Sequence, residues 1–259
     1  MKLHVENAGR GPSLVLLHGW GLHSGVWAGV LPALTQHFRV SCIDLPGHGH
    51  SRGWDAGMGL EEVATAVGAV VPADAAWLGW SLGGQVAMAA AAAGLASGRL
   101  VLVAVTPRFV TASDWPCAMA PATLAGFAAA LAQNCGKTVR DFLTLQLRGD
   151  ARAAQLLREM REVIRTRPEP EPAALSAGLG ILADTDLRGR LAKLTQPTLV
   201  IAGERDRLVP AEAARRLAAG LPASELQLAP AAAHAPFMTD PTGFTARVLE
   251  FLAHRGATL

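Results

Sequence analysis

The sequence predicts an α/β protein whose central sheet is mostly parallel and covered by helices on both faces. Three observations lead to this fold class: short apolar runs that end at turn residues, alanine-rich stretches between those runs, and a long interval, 111–184, with helical patterns but no strand-like run. Of the 259 residues, 51% are hydrophobic and 17% are charged, and this balance supports a well-buried core.

The apolar runs have the length expected of strands that are buried on both faces. They span residues 14–17, 39–44, 75–79, 100–104 and 198–202, and a shorter run follows at 226–228. Alanine-rich helical stretches lie between them, the clearest at 85–93 and 211–219. Because a helix gives the chain room to cross back over the sheet, strands that alternate with helices are expected to be parallel.

The interval 111–184 interrupts this alternation. Its clearest helix covers 152–165, where apolar residues recur at helical spacing, and the proline-rich stretch 167–172 ends that helix. We therefore expect a helical cap at 111–184, inserted into a core domain that comprises 1–110 and 185–259.

A candidate nucleophile stands in Gly79-Trp80-Ser81-Leu82-Gly83-Gly84, between a predicted strand and a predicted helix. A strand that turns sharply into a helix exposes a serine at the turn, and the turn needs small neighbours, which Gly79 and Gly83 supply. A chance Gly-x-Ser-x-Gly in a glycine-rich chain is the alternative. The strand before the motif and the helix after it favour Ser81 as a nucleophile.

A serine nucleophile needs a histidine as base and an acid to orient it. Asp206 lies just after the strand run 198–202, and His234 follows the run 226–228, so the chain order is serine, acid, histidine. Glu204 is a competing acid closer to the strand, and His254 is the other histidine in the second half of the chain. A turn-forming aspartate and a core histidine are the alternatives, but the order and the loops favour a triad.

Two backbone N–H groups are expected to hold the negative oxygen of the tetrahedral intermediate. One belongs to Leu82, directly after the nucleophile, and the other to Trp20 in the loop after the first apolar run. Simple core packing is the alternative for Trp20. We expect His18, His48 and His50 to stabilise loops through hydrogen bonds rather than to act as bases.

Other chemistries have little support in the sequence. It contains no Cys-x-x-Cys, no His-Glu-x-x-His and no phosphate-binding glycine loop, so we expect neither metal nor cofactor. A net charge of +2 does not point to nucleic acid, and no long apolar stretch points to a membrane. The number and spacing of the three cysteines, Cys42, Cys117 and Cys135, favour reduced thiols, so we expect a cytoplasmic protein. We also expect a monomer.

Several segments resemble a known family. They are Leu-Leu-His-Gly-Trp-Gly-Leu at 16–22, Asp-Leu-Pro-Gly-His-Gly at 44–49, Trp-Leu-Gly-Trp-Ser-Leu-Gly-Gly at 77–84, Ala-Ala-His-Ala-Pro-Phe at 232–237, Trp-Pro at 115–116 and Phe-Leu-Thr-Leu-Gln at 142–146. Together they are similar to the carboxylesterases of biotin synthesis, the pimeloyl-[acyl-carrier protein] methyl ester esterases of the α/β-hydrolase superfamily. The elbow and histidine segments are common across the superfamily, whereas the tryptophans and the cap segments are more specific.

The resemblance implies that Ser81 attacks the methyl ester of a pimeloyl chain on acyl-carrier protein. The acyl-enzyme is then hydrolysed, which frees the pimeloyl carboxylate. The resemblance also implies that the acyl channel lies under the cap, and it gives the residues that contact the substrate as Trp20, Ser81, Leu82, Phe142, Leu143, Thr144, Leu145, Gln146 and His234.

An acidic carrier protein is expected to dock on a basic surface. From 137 to 167 the chain has eight Lys/Arg and four Asp/Glu, and Arg158, Arg161 and Arg165 share one helical face. A solvated face balanced by glutamates is the alternative, since exposed charges usually contribute little. Asp141 stands where the resemblance implies a basic residue, so the docking footprint is expected to differ.

Three other functions share these features. A general short-chain carboxylesterase has the same triad and no dependence on a carrier protein. A carbon–carbon bond hydrolase has the same order of triad residues, but nothing in the sequence requires it. A non-catalytic receptor uses the pocket of this fold for a ligand, and the retained triad argues against it.

Overall fold

The computed structural model describes residues 2–54 and 58–253. Its centre is a seven-stranded sheet with the order β1-β3-β2-β4-β5-β6-β7, in which only the β1–β3 pair is antiparallel. The strands are β1 Val5–Ala8, β2 Ser13–Leu17, β3 Arg39–Ile43, β4 Ala76–Trp80, β5 Leu100–Val103, β6 Thr198–Gly203 and β7 Ser224–Ala229. The predicted α/β class with a mostly parallel sheet is confirmed.

Each predicted apolar run coincides with one of the strands β2 to β7, to within a residue or two at either end. The strand that the sequence does not predict is β1. Its residues, Val-Glu-Asn-Ala, are half-buried or exposed, so they carry no apolar run. The strand forms because its backbone pairs with β3 at the edge of the sheet, with Val5 opposite Ile43. Edge pairing of this kind depends on main-chain hydrogen bonds more than on side-chain character.

Helices cover the sheet and also form a separate group between β5 and β6. The helix α3 is rich in glycine and alanine and is buried on nearly every side, which lets its backbone pack close to the sheet. The helices of the described chain are α1 Leu31–Leu34, α2 Leu60–Gly68, α3 Leu82–Ala92, α4 Pro121–Gln133, α5 Cys135–Gln146, α6 Ala153–Arg165, α7 Pro172–Asp184, α8 Ala211–Gly220, α9 Pro236–Thr239 and α10 Pro241–Ala253, with 3₁₀ helices at Ser24–Gly29 and Arg188–Lys193.

The helices α4 to α7 follow one another without an intervening strand, and we call them the helical insertion. An ion pair between Arg108 and Asp186, 2.8 Å long, joins the two chain segments at its base. Its helix α6 is strongly amphipathic, with Leu156 and Met160 buried. No helix among residues 2–54 and 58–253 is long and apolar enough to cross a membrane.

The parallel sheet brings the candidate site residues to one edge. Trp20 follows β2, Ser81 follows β4, Asp206 follows β6 and His234 follows β7. Because the carboxyl ends of parallel strands meet at the same edge, four loops that are far apart in sequence converge there.

Candidate active site

Ser81 occupies a strained turn between β4 and α3. Its backbone has φ 55° and ψ −119°, a conformation that residues with a side chain rarely adopt. The turn is possible because its neighbours are glycines. A β-carbon on Gly79 would lie 2.4 Å from the carbonyl oxygen of Gly83, and one on Gly83 would lie 2.5 Å from that of Leu17. The sequence motif is therefore a consequence of close backbone approach.

The turn places Ser81 at the N-terminus of an eleven-residue helix, α3. The N–H of Leu82 is the first of that helix and makes no hydrogen bond to any described residue. Free N–H groups and the helix dipole together favour negative charge at this point. The geometry suits an oxygen that becomes an anion during a reaction at Ser81.

His234 and Asp206 form a short hydrogen bond inside the protein. The distance from His234 Nδ1 to Asp206 Oδ2 is 2.7 Å, and both side chains are fully buried. The other oxygen of Asp206 accepts the N–H groups of Leu208 and Val209, at 2.8 and 3.0 Å. Asp206 therefore holds the imidazole with Nδ1 protonated and Nε2 free to accept a proton.

The competing candidates are not in this arrangement. Glu204 is exposed at the end of β6, and its N–H pairs with Ala229 of the neighbouring strand. His254 lies outside the described residues. Nε2 of His234 is buried and has no hydrogen-bond partner in the described part of the chain, so it is available to a hydroxyl or to a water molecule.

Trp80 connects the serine turn to the histidine, a role that the sequence did not indicate. Its indole Nε1 donates to the carbonyl oxygen of His234 over 2.7 Å, and its ring lies 5.7 Å from the imidazole. Trp80 directly precedes Ser81, so one residue ties both loops together. In the sequence, the position of Trp80 directly before Ser81 was the one feature that could have indicated this role. A tryptophan at such a position is equally typical of core packing.

Trp20 lies where the loop after β2 meets the helical insertion. Its indole Nε1 donates to the carbonyl oxygen of Leu175 in α7, over 2.9 Å, and its ring centre is 4.7 Å from that of Phe142 in α5. A β-carbon on Gly178 would lie 2.6 Å from the indole, so α7 can approach only with a glycine there. The indole is thus already bonded, and the N–H left for an oxyanion is that of the Trp20 backbone.

His18 positions this loop, as the sequence predicts for a loop-stabilising histidine. Its Nε2 accepts the N–H of Leu45 at 2.9 Å, which leaves Nδ1 protonated to donate to the carbonyl oxygen of Gly19 at 2.8 Å. Burial lowers the pKa of His18 to about 3, so the ring is neutral. His48 likewise bonds within its own loop, through Nδ1 and the carbonyl oxygen of Pro46. His50 stacks edge-on against His4.

A buried carboxylate anchors the helical insertion to the sheet domain. Asp44 accepts the N–H groups of Ser24 and His50, and its Oδ2 pairs with Arg167 at 2.8 Å. Burial alone would raise the pKa of Asp44, but neighbouring His18 and the backbone donors outweigh burial and hold that pKa well below its usual range. Arg167 also pairs with Glu6, so the segment between α6 and α7 is held to strand β1 and to the residue that follows β3.

A cleft of about 380 Å³ opens among α5, α6 and α7. Apolar side chains, including Leu143 and Leu175, form part of its wall. Three arginines and one acid line it as well: Arg140, Arg161, Arg165 and Glu169. The cleft combines an apolar surface with positive charge and lies against the loop of Trp20, because Leu175 contacts both.

The structure divides the five channel residues implied by the resemblance. Phe142 contacts Trp20, Leu143 lines the cleft, and the carbonyl oxygen of Gln146 accepts the N–H of His234. Thr144 and Leu145 instead line a separate, open groove. These five residues do not all face one cavity, because consecutive residues of a helix point in directions about 100° apart. Their contact with substrate stays a prediction.

The predicted docking arginines are all exposed on α6. Arg161 and Arg165 line the cleft, whereas Arg158 does not. Arg165 pairs with Glu162 at 2.7 Å, and both side chains are largely solvated. For this part of the face, the pair agrees with the alternative of a solvated surface balanced by glutamates. No cluster of metal-binding side chains occurs among the residues that the structure describes.

The site combines three features at one edge of a parallel sheet: a serine in a strained turn, a histidine held by a buried aspartate, and two backbone N–H groups. This is the arrangement found in serine hydrolases. A family model described as alpha/beta hydrolase matches residues 14–248. The pimeloyl-[acyl-carrier protein] methyl ester esterase of Methylococcus capsulatus is 46% identical, covering 98% of this chain and 99% of the relative. That of Nitrosospira multiformis is 42% identical, covering 97% and 98%.

The chain belongs to the alpha/beta hydrolase family and, within it, to the pimeloyl-[acyl-carrier protein] methyl ester esterases, which are carboxylic ester hydrolases. Among solved structures, an esterase from Exiguobacterium antarcticum superposes with a TM-score of 0.87 at 22% identity, over 96% of this chain and 95% of that one. A hydrolase from Pseudomonas aeruginosa gives 0.80 at 28% identity, over 97% and 93%. The first of these matches supports the fold alone, because its sequence identity is low.

Proposed function

We propose that this protein is a serine esterase that removes the methyl group from a pimeloyl methyl ester carried on acyl-carrier protein. The observation that carries the proposal is the buried bond between His234 and Asp206 at the sheet edge that also carries the strained Ser81, in a chain with relatives of that name at 42–46% identity. The freed pimeloyl carboxylate is the product that biotin synthesis uses in this family.

The reaction begins with attack of Ser81 Oγ on the ester carbonyl carbon. His234 Nε2 takes the proton of the hydroxyl, and Asp206 stabilises the imidazolium that forms. The N–H groups of Leu82 and Trp20 hold the oxygen that becomes negative. The tetrahedral intermediate collapses, and methanol leaves with the proton from His234. Water, deprotonated by His234, then cleaves the acyl-enzyme and releases the acid.

We propose that the helical insertion, within the predicted limits 111–184, acts as a cap over this site. The acyl chain would reach Ser81 from the cleft, past Trp20 and Phe142. Leu143 and Leu175 offer the apolar surface that a methylene chain requires. The open groove at Thr144 and Leu145 has no part in this path.

The arginines of α6 are the proposed docking surface for the carrier protein. Arg161 and Arg165 lie at the cleft through which the acyl chain would enter, and Arg158 extends the positive charge along the exposed face of α6. An acidic partner that approaches here would be steered with its acyl chain towards the cleft. Asp141 pairs with Lys137 beside this surface and removes part of the charge there.

A general short-chain carboxylesterase is the second candidate, because a cleft of about 380 Å³ has room for a small free ester without a carrier protein. The test compares hydrolysis of pimeloyl-carrier-protein methyl ester with that of a short p-nitrophenyl ester, at matched enzyme concentration. We expect a much higher kcat/KM for the carrier-bound ester. Equal values would favour the general esterase, and no hydrolysis of either ester, with no labelling of Ser81 by a fluorophosphonate, would favour a receptor.

A further inference from the structure

The loop that carries His234 is held from two sides. On one side, Asp206 binds the imidazole. A β-carbon on Gly203 would lie 2.0 Å from the carbonyl oxygen of Ala233, so the end of β6 also supports the loop at very close range. On the other side, the loop contacts residues 146–152, the last residue of α5 and the chain that joins α5 to α6, which we call the α5–α6 connector. This second support belongs to the helical insertion.

Two main-chain hydrogen bonds join the connector to the histidine loop. The N–H of His234 donates to the carbonyl oxygen of Gln146 over 3.1 Å, and the N–H of Ala151 donates to the carbonyl oxygen of Ala231 over 3.1 Å. The two bonds run in opposite directions across the two segments, so the connector limits both the position and the tilt of the loop.

Asp150 adds the side-chain contacts. Its Oδ2 accepts the N–H of Ala233 at 3.0 Å and the hydroxyl of Thr239 at 2.6 Å, while its Oδ1 accepts the N–H of Arg152 at 2.8 Å. Asp150 as a whole is only 7% exposed, so these donors replace water that its carboxylate has lost. Ala233 directly precedes His234, and one bond therefore fixes the backbone from which the imidazole projects.

Arg152 completes the contact on the far side of the loop. Its Nη1 donates to the carbonyl oxygens of Met238 and Thr239, at 3.1 and 2.9 Å. These are the last carbonyls of α9, where a helix leaves acceptors without a partner and favours a positive charge. Asp150 and Arg152 thus hold both ends of the segment that begins at Ala233 and includes His234.

We propose that Asp150 is a positioning residue for His234, through which the helical insertion must be docked before the base is correctly placed. The proposal rests on the proposed esterase function. The consequence is that contacts made by the insertion reach the catalytic base as well as the acyl chain.

The experiment measures Asp150→Ala and Asp150→Asn on the short p-nitrophenyl ester, which does not depend on carrier docking. Asp184→Ala, an exposed aspartate in the same insertion, is the matched control. We expect Asp150→Ala to lower kcat about 10- to 100-fold with little change in KM, because a small displacement of a catalytic group has effects of this size. Labelling of Ser81 by a fluorophosphonate should slow by the same factor.

Asp150→Asn should recover much of the lost rate, because its amide oxygen still accepts the N–H of Ala233. Thermal unfolding of each variant shows whether it is folded at the assay temperature. Should Asp150→Ala fail to fold, Thr239→Val removes a single bond to Asp150, and a lower kcat at constant KM supports the proposal.

A folded Asp150→Ala with the kcat of the wild type, or a variant that alters KM alone, overturns the positioning role while leaving the esterase intact. If Asp150→Ala does not fold, an unchanged kcat in Thr239→Val overturns the positioning role instead. If the wild type and Asp184→Ala hydrolyse neither the carrier-bound ester nor the short ester, the proposed function itself is refuted.

Discussion

The loops at the edge of the sheet and the helical insertion contribute to the site in different ways. At the sheet edge, Gly79, Gly83 and Gly203 let backbones approach so closely that a single β-carbon would collide with a carbonyl oxygen. In the insertion, the surface is exposed and charged, and α6 presents Arg158, Arg161 and Arg165 to solvent. The close contacts at the sheet edge restrict backbone positions, whereas the exposed face of α6 can change its side chains at little cost in stability.

This contrast has an energetic basis. A close backbone contact has almost no way to relax, because main-chain atoms of packed strands move together. An exposed arginine has many rotamers and is solvated in each of them, so its replacement changes the free energy of unfolding little. Substitutions at the sheet edge should therefore affect turnover and folding for every substrate. Substitutions on α6 should affect only a partner that binds there.

The largest effect is expected at Ser81, the proposed nucleophile. Ser81→Ala should lower kcat/KM at least about 10⁴-fold on both the carrier-bound ester and the short ester, because no other group can form the acyl-enzyme. Ser97→Ala, an exposed serine whose hydroxyl donates to the carbonyl oxygen of Ala73, is the control. Normal turnover of the short ester by Ser81→Ala would remove the basis of the comparison.

A smaller but still large effect is expected for the glycine behind the turn. A β-carbon on Gly83 would meet the carbonyl oxygens of Leu17 and His18 at 2.5 and 2.6 Å, so Gly83→Ala must displace β2 or α3. We expect a loss of several kcal/mol in the free energy of unfolding, on the order of 2–4 kcal/mol, in urea titrations. Gly126→Ala, on α4 with open space around it, should change stability little or raise it.

The charged surface should respond selectively. Arg158→Glu with Arg161→Glu is expected to lower kcat/KM about tenfold or more for the carrier-bound ester, through repulsion of an acidic partner, and to leave the short ester nearly unchanged. The effect should diminish at high salt. Arg10→Glu with Arg215→Glu, outside the insertion, gives the same change in net charge and serves as control. Equal losses on both esters would contradict a docking surface on α6.

The smallest effect concerns stability in acid. Because the pKa of His18 is about 3 in the folded protein and ordinarily 6.5, the unfolded chain binds a proton below pH 6.5 that the folded chain does not. The free energy of unfolding should therefore fall as the pH drops, by about 2 kcal/mol from pH 7 to pH 5 for this residue.

His18→Gln keeps an amide acceptor for Leu45 and cannot titrate. In urea titrations at the two pH values, this variant should be less stable at pH 7 but should lose less stability on acidification than the wild type. The burial of His23 and His48 lowers their pKa values in the same direction, so part of the acid loss should remain. An identical acid loss in His18→Gln and the wild type would show that His18 titrates normally.

Much of this protein was determined by the sequence itself. Continuous apolar runs predict buried parallel strands, because both faces of such a strand must be covered, and Gly-x-Ser-x-Gly predicts a sharp turn, because only glycine tolerates the backbone approach. The α/β class and a serine nucleophile's motif follow from these local patterns, whereas the family and the esterase chemistry were implied by the resemblance of several segments; the class, the family and the esterase chemistry are confirmed. The limits of the cap and the roles of the individual site residues stay predictions.

Tertiary structure alone decided the rest. The antiparallel strand β1 depends on a backbone partner more than thirty residues away, and nothing in Val-Glu-Asn-Ala announces it. The bond from Trp80 to the carbonyl oxygen of His234 joins residues 154 positions apart. The bond between Asp150 and the N–H of Ala233 joins residues 83 positions apart. Local patterns report which face of an element is buried, but they carry no information about which distant group will satisfy a buried donor or acceptor.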